Sequence, residues 1–339
     1  MIMKTITPFY ILLLSFCFES SGQSLSGYYI HWNVDHTERS IRPSIPVSNQ
    51  DAKTVNCYLV SFDEDNQFAN VKFYYNGEPS QYSSYGAFQV SRIYNANNFE
   101  DHYFNSLGER VKNAEGVYRT VYHLNNLGYW IRKEYFDENN QLTDIKGSHS
   151  QKAAISIVTR DSTNKLATEV RLNAKGDTIP DINGFKVVHF GFNKDGYISY
   201  RKNIDDTGQL TDGPLGYAQV NFQCHPTGTF FEEEFRNENY NLVEHPRLLF
   251  ARVNFRQYNR YGKFQRIYYI DKNGYPDERR AYLELDYNPN MTIQKGIFYD
   301  RKGKRTEDPR GVASFQFEYA ESGKSLGRKN FNLEGEEIK

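Results

Sequence analysis

The sequence predicts an all-β fold, an elongated or curved array of about nine β-hairpin repeats with a short N-terminal cap. Two turn signatures, about twelve residues apart, recur together with a period of about 32 residues. Each signature has a bulky apolar residue, then Asp or Asn, two free positions, and Gly or Asn. Clear copies are FNKDG at 192–196, IDDTG at 204–208, YNRYG at 258–262 and IDKNG at 270–274. This spacing indicates one repeated unit rather than unrelated domains.

The turn positions follow from local chemistry. An Asp or Asn side chain accepts the backbone N–H two residues on, and Gly or Asn then closes the hairpin in the left-handed conformation. The first turns end near Asn66, Asn98, Gly128, Asn164, Gly196, Gly228, Gly262, Met291 and Gly323. The second turns end near Gly77, Gly108, Asn140, Gly176, Gly208, Tyr240, Gly274, Gly303 and Gly335.

The segments between the turns read as strands and connectors. Residues 131–136 and 265–270 are rich in aromatic and β-branched side chains, which favours strands. After the second turn the chain often carries Pro and then small residues, as at 214–218 and 309–313. Proline resists ladder pairing, so these stretches are predicted connectors, and their small residues allow close stacking of repeats.

The N-terminus has the features of a secretory signal peptide over residues 1–22. Lys4 precedes a short apolar core at 9–18, and small residues precede a cleavage point before Gln23. A lipoprotein signal at Cys17 is the alternative, although Phe16 stands where a small residue is usual. No other apolar run is long enough to span a bilayer. The sequence therefore predicts an exported protein, periplasmic or extracellular at the cell surface.

The mature chain divides into a cap with a linker at 23–55 and a repeat domain at 56–339. Residues 27–32 are a predicted cap strand, and the Pro-containing stretch 40–53 is a predicted linker or irregular loop. Cys57 and Cys224 fall in the first and sixth repeats. We expect two separate thiols there. An extended array would hold the first and sixth repeats far apart, whereas a disulfide needs Cα atoms within about 7 Å.

The composition excludes two classes of protein. Lys plus Arg number 41 and Asp plus Glu number 42, a net charge of −1 that argues against a nucleic-acid-binding protein. The 27 Tyr and 24 Phe residues supply the apolar area that disordered chains lack.

From about residue 56 to 339 the chain resembles bacterial tandem β-hairpin repeat proteins with Tyr/Phe-Asp-x-x-Gly units, distantly similar to MORN-type and YD (RHS-type) repeats. The resemblance is carried by the turn signatures, for example YFDENN at 135–140. MORN units are shorter and richer in Gly, and YD units have a shorter period. The resemblance implies a binding, scaffolding or toxin-shell role and brings no catalytic residues.

Two clusters carry potential chemistry. His31, Asp35 and His36 hold metal-ligating atoms, but their spacing is weak support for a site and an exposed cap segment is the favoured interpretation. Residues 232–234 are three glutamates in a predicted strand, so alternate carboxylates point to opposite faces. Two carboxylates across a sugar site are what a glycosidase needs. A solvated face opposite Arg266 or Lys202 is the favoured interpretation.

The aromatic residues also have two interpretations. Those beside turns are expected in the stacking core, whereas others can form an exposed platform for glycan or peptide. The candidates for this binding face are Tyr82, Tyr85, Tyr118, Tyr129, Trp130, Tyr197, Tyr200, Tyr261, Tyr268 and Tyr275.

Taken together, the sequence predicts an exported, non-catalytic binding or scaffold protein of the bacterial envelope. Its partner is expected to be an envelope protein or a polysaccharide, and no cofactor or metal is expected. A glycan-active enzyme and an immunity or antitoxin-like protein are the alternatives. The sequence leaves the oligomeric state open.

Overall fold

The computed structural model describes residues 26–34, 41–83, 86–145, 153–163, 165–181, 183–194, 197–205, 207–224 and 230–338. The predicted signal peptide, Asp35, His36 and Tyr85 lie outside these ranges.

Over the described residues, 23 antiparallel strands form one sheet, which confirms the all-β repeat array. The strands are β1 (Gly27–Val34), β2 (Ile41–Val47), β3 (Cys57–Phe62), β4 (Phe68–Tyr75), β5 (Glu78–Pro79), β6 (Gln89–Tyr94), β7 (Asn98–Phe104), β8 (Arg119–Leu124), β9 (Trp130–Phe136), β10 (Ile155–Arg160), β11 (Leu166–Leu172), β12 (Thr178–Ile179), β13 (Val187–Phe192), β14 (Ile198–Asn203), β15 (Gln219–Cys224), β16 (Phe230–Arg236), β17 (Arg252–Tyr258), β18 (Phe264–Ile270), β19 (Tyr282–Tyr287), β20 (Ile293–Tyr299), β21 (Ser314–Tyr319), β22 (Ser325–Phe331) and β23 (Glu337–Ile338). A 3₁₀ helix spans Asp51–Lys53.

Most strands pair with their neighbours in sequence, so the sheet is a long meandering ribbon. At its N-terminal end β1 lies between β2 and β3. The stretch that composition assigned to a linker therefore contains an edge strand, β2. Pro43 and Pro46 suit that position, because an edge strand does not need every N–H for pairing.

The second turns adopt the predicted conformation in all nine repeats. The closing residue has positive φ at Gly77, Gly108, Asn140, Gly176, Gly208, Tyr240, Gly274, Gly303 and Gly335. In the seventh repeat the Asp271 Oδ1 accepts the N–H of Asn273 at 2.9 Å and of Tyr275 at 3.0 Å. Side-chain and backbone hydrogen bonds together therefore fix how the end of β18 turns into the connector, where Ile270 pairs with Pro276.

The first turns agree where they are described, with one exception. The closing residue has positive φ at Asn66, Gly128, Gly262, Met291 and Gly323. The prediction for Asn98 was wrong, because this residue begins β7 and its carbonyl accepts the Asn95 N–H at 2.8 Å. Asn164, Gly196 and Gly228 lie outside the described residues.

Several of the described connectors hold a third turn that the sequence pattern did not predict. The Asp308 Oδ1 accepts the N–H of Arg310 at 2.8 Å and of Val312 at 3.1 Å. The apolar residue that follows this turn is buried at Val117, Phe185, Tyr217, Phe250 and Val312. As expected of close stacking, the small residues entering the next strand are also buried: Ala154, Ala218, Ala251, Ala281 and Ala313. The connectors thus cover one face of the ribbon and complete the core there.

This inner face also carries buried charges, which are paired either across strands or along one strand. The Arg92 guanidinium donates to both Asp101 carboxylate oxygens, at 2.7 and 2.8 Å, and lies 4.1 Å from the centre of the Phe99 ring. Arg171 pairs with Glu169 at 3.0 Å. Removal of one partner is costly because it leaves an uncompensated buried charge.

We expect Tyr217→Ala to lower the free energy of unfolding by about 3 to 5 kcal/mol, because Tyr217 is fully buried within the core. The matched control is Tyr275→Ala. Its side chain is 64% exposed, so the expected change is within about 0.5 kcal/mol. Urea unfolding followed by circular dichroism measures both. Equal effects would show that the connectors do not hold the core.

Candidate functional site

The ribbon curls so that its N-terminal end lies against the first turns of the last three repeats. Tyr261 and Met291, from the seventh and eighth of these turns, pack in one cluster with Ile30, Val47 and Cys57. The Tyr75 ring lies so close to Gly323 in the ninth turn that a Cβ there would be 2.5 Å from the ring. We call this contact, between residues 26–34 and 41–83 and the turns that end at Gly262, Met291 and Gly323, the seam.

Two hydrogen bonds cross the seam. The Asn56 N–H donates to the Asn290 carbonyl at 3.1 Å, and the Ser80 hydroxyl donates to the Ser322 carbonyl at 2.9 Å. These bonds satisfy backbone carbonyls of exposed turns. They therefore hold the first repeat against the eighth and ninth repeats.

Three cavities open along the seam, and Tyr75 lines all three. We call them together the seam groove. The first, of about 420 Å³, is lined by Thr54, Tyr75, Asn76, Asn288, Pro289, Asn290, Phe317 and Tyr319. The second, of about 440 Å³, is lined by Asn56, Phe73, Tyr75, Gln81, Tyr82, Ser83, Gly86, Thr292, Tyr319, Gly323 and Ser325. The third, of about 340 Å³, is lined by Tyr75, Glu78, Pro79, Ser80, Gln81, Tyr82, Ser106, Glu321 and Ser322.

The lining of the groove is aromatic and uncharged over most of its length. Among the described residues, no ionisable acid or base other than Tyr lines the first two cavities, and the third has Glu78 and Glu321. Burial raises the pKa of Tyr319, and the nearby Tyr75 hydroxyl adds to this effect. The Tyr319 hydroxyl donates to the Ile293 carbonyl at 3.2 Å, so the Tyr319 ring is held in place.

Asn56 gives the groove a polar atom without a partner. Within the described residues its buried Oδ1 accepts no hydrogen bond, although the backbone N–H of the same residue is bonded across the seam. A buried polar atom is ordinarily satisfied, so this oxygen is an exception among the residues beside the groove.

His31 lies on the cap side of the seam. Its Nε2 is buried and has no hydrogen-bond partner among the described residues. Burial, with a smaller repulsion from Lys263, lowers the pKa of His31 to about 4. Burial also lowers the pKa of Lys263. This part of the seam therefore favours neutral imidazole.

The ten predicted aromatic residues do not form one surface. Trp130 is 2% exposed and Tyr261 is 7% exposed, so both are packing residues and supply no exposed ring. Tyr82 lines the groove, and Tyr275 is exposed in a second turn far along the chain. Tyr118, Tyr129, Tyr197, Tyr200 and Tyr268 are half-buried at separate strands and turns. A binding role for the exposed members stays a prediction.

Tyr268 does belong to a small aromatic row on the outer face. Its ring centre lies 5.6 Å from that of Tyr282, which stacks on Tyr299 at 4.9 Å. Cross-strand pairing of β18, β19 and β20 creates the row. Tyr282 and Tyr299 are directly opposite each other on the two strands of one hairpin, β19 and β20.

The three glutamates alternate between faces as predicted, but their partners differ from the prediction. Glu234 is 7% exposed and pairs with Arg236 and Arg252 at 2.6 and 2.9 Å. Arg266, one of the predicted partners, pairs instead with Glu284. Burial alone would raise the pKa of Glu234, but hydrogen bonds from Arg236 and Asn221 bring it below its usual range. Glu234 is therefore a buried, ionised structural carboxylate rather than a solvated one.

Glu233 faces the inner side, where burial raises the pKa of its carboxyl group despite the Arg201 charge. The alternation places it on the opposite side of the sheet from Glu232 and Glu234. These three carboxyl groups therefore do not face one another across a common cleft.

Cys57 and Cys224 are free thiols. Burial raises the pKa of Cys57 to about 12 and that of Cys224 to about 11, so neither is an activated nucleophile. The part of the chain that the structure describes contains no group of three or more potential metal ligands. Asp35 and His36, from the predicted cluster, fall outside it. No helix among the described residues has the length and apolar character to cross a bilayer.

Comparisons with known proteins give only weak similarities. No protein-family model matches the chain, and no curated protein does. Similar solved structures include the TcdB2-TccC3-Cdc42 complex, with 10% identity over 91% of this chain and 19% of that chain and a TM-score of 0.27. The Photorhabdus luminescens Tc holotoxin pore has 10% identity over 86% of this chain and 17% of that chain, with a TM-score of 0.26.

A porin-like protein from Bacteroides uniformis has 9% identity over 84% of this chain and 86% of that chain, with a TM-score of 0.27. The chain spans 19% or less of the length of the two toxin chains. Similarity at this level carries no argument about function.

The close approach at Gly323 predicts how the seam responds to substitution. We expect Gly323→Ala to lower the free energy of unfolding by about 1 to 3 kcal/mol more than Gly274→Ala does. Both glycines have positive φ, +87° and +82°, so both variants carry the same backbone strain, but a Cβ at Gly274 would meet nothing within 4 Å. Urea unfolding of the two variants measures the difference. Equal losses would mean that the seam contributes no stability.

Acidification should weaken the seam through His31. Its native pKa of about 4 lies below the ordinary value of 6.5, so the unfolded chain binds a proton first as pH falls. The stability is complete above pH 6.5 and is lost progressively down to pH 4. Between pH 7 and pH 5 this one group should remove about 2 kcal/mol.

The check is the pH dependence of unfolding in His31→Gln compared with the unmodified protein. The variant should lose less stability between pH 7 and pH 5, since Gln does not titrate. The same slope in both proteins would contradict the assignment.

Proposed function

We propose that the protein is an exported, non-catalytic binding or scaffold protein of the bacterial envelope, acting in the periplasm or at the cell surface. It would hold another envelope component in the seam groove. In this proposal residues 1–22 are a cleaved signal peptide, residues 23–55 are the cap and residues 56–339 are the repeat domain. The repeats would belong with bacterial tandem β-hairpin proteins distantly similar to MORN-type and YD (RHS-type) proteins.

The seam groove is the observation that carries this proposal. Its cavities of about 340 to 440 Å³ fall within the range of about 300–1,000 Å³ that is common for ligand sites. It lies where residues from the two ends of the repeat array meet, so the whole ribbon must fold before the groove exists. A rigid array that assembles one recognition site suits a scaffold.

The chemistry of the described carboxylates supports a binding role over catalysis. Glu234 and Asp101 are held in ion pairs, and Glu233 faces away from Glu234 across the sheet. A general acid and base need a shared substrate position, which these groups do not have.

The test is affinity capture from the native envelope with the tagged mature protein. Three baits are compared: the unmodified protein, the double variant Gln81→Ala with Tyr82→Ala, and the control Tyr240→Ala. We expect one envelope component to be retained by the first and third baits and lost from the second, because Gln81 and Tyr82 are exposed in the groove whereas Tyr240 is exposed outside it. The retained material is identified by mass spectrometry.

Recovery of the same material with all three baits would reject the groove as the recognition site. Turnover of a substrate that depends on particular carboxylates would reject the non-catalytic role.

A further inference from the structure

We propose that the seam groove binds an uncharged segment of a polysaccharide. This inference rests on the proposed function and names the class of ligand for the same groove. It is carried by the charge, the ring positions and the amide groups of the groove lining.

The absence of strong charge in the lining is the first argument. The chain is 24% charged residues, yet among the described residues the first two cavities are lined only by aromatic, amide, hydroxyl, proline and glycine groups. An anionic ligand such as a phosphate or a uronic acid would find no Arg or Lys in this lining. In the third cavity Glu78 and Glu321 would repel it. The lining therefore disfavours an anionic ligand.

The aromatic rings supply the second argument. Tyr82 is 40% exposed and lines the second and third cavities, and Tyr319 lines the first and second. The C–H face of a sugar ring packs on such rings, while each phenol keeps a polar tip for hydrogen bonds. The rings lie at the junctions between cavities, where consecutive sugars of one chain would pass.

The amide side chains supply the third argument. Asn76 and Gln81 are exposed in the lining, Asn76 in the first cavity and Gln81 in the second and third. An amide group both donates and accepts hydrogen bonds, as a sugar hydroxyl does, so the two are matched without any net charge. Ordered water can complete such contacts.

The extent of the groove favours a polymer over a single sugar. Three cavities share the wall formed by Tyr75, and the second and third also share Gln81 and Tyr82. A ligand that filled all three would have to be extended. A linear oligosaccharide has this form, and each added sugar would contribute a further contact.

Isothermal titration calorimetry with defined oligosaccharides tests the proposal. The probes are linear hexasaccharides of neutral glucan, mannan, galactan and xylan, with an oligogalacturonate of the same length as the anionic comparison. We expect at least one neutral probe to bind and the anionic probe not to bind. Tyr82→Ala and Gln81→Ala should each weaken the binding by tenfold or more, and Tyr240→Ala, at an exposed position outside the groove, should leave it unchanged. Circular dichroism confirms that the variants are folded, which their exposed positions favour.

The remaining outcomes each reject the inference. These are no binding of any neutral probe, equal or tighter binding of the anionic probe, and neutral binding that the groove variants do not weaken. If neutral probes fail while envelope capture still gives a groove-dependent component, the ligand class is wrong and the scaffold function stands. If capture also gives no groove-dependent component, both are wrong.

Discussion

The structure depends on one local constraint, the left-handed closing residue of the hairpin turns. When that residue adopts positive φ and the preceding Asp or Asn accepts two backbone N–H groups, only one hairpin register is compatible. Register then decides which side chains face inward, because a slip of one residue would exchange the two faces. Asn140 and Tyr240 adopt this conformation without being glycine, at φ +61° in each case. The hydrogen bonds of the turn therefore impose the left-handed conformation even where the side chain disfavours it.

Because these constraints are local, the sequence predicted the hairpins, their number and their turns well. The curl depends on contacts that are distant in sequence, such as Asn56 with Asn290, and on the twist that accumulates over many strands. The turn signatures are local, so they do not encode the curl.

The two failed aromatic predictions have the same origin. Tyr261 is buried only because the cap returns to cover it, and Trp130 is buried by packing with Tyr122 and Leu166.

The seam groove was only partly accessible from sequence for the same reason. Tyr82 was identified as a candidate because it lies outside the turn signatures, but nothing local connected it to Tyr319. These two residues lie in the first and ninth repeats, and the curl brings them to one cavity. The third turn in the connectors could have been predicted from the sequence. Its Asp-x-x-Gly pattern is present at 181–184 and 308–311, but these residues were interpreted only as connectors with Pro and small residues.

The neutral character of the groove follows from where the repeat places its charges. In the interior of the ribbon each strand has neighbours on both sides, so a charged residue can pair across strands, as Arg92 does with Asp101 and Glu234 with Arg252. At the seam the chain meets turns rather than a strand, and turns offer carbonyls, amides and glycine instead of a pairing ladder. Charges placed there would lack partners, and uncharged polar and aromatic residues do not incur that cost. The geometry that closes the curl thus also leaves the first two cavities lined by uncharged polar and aromatic residues, and in the proposed complex the ligand would meet rings and hydrogen-bonding groups there.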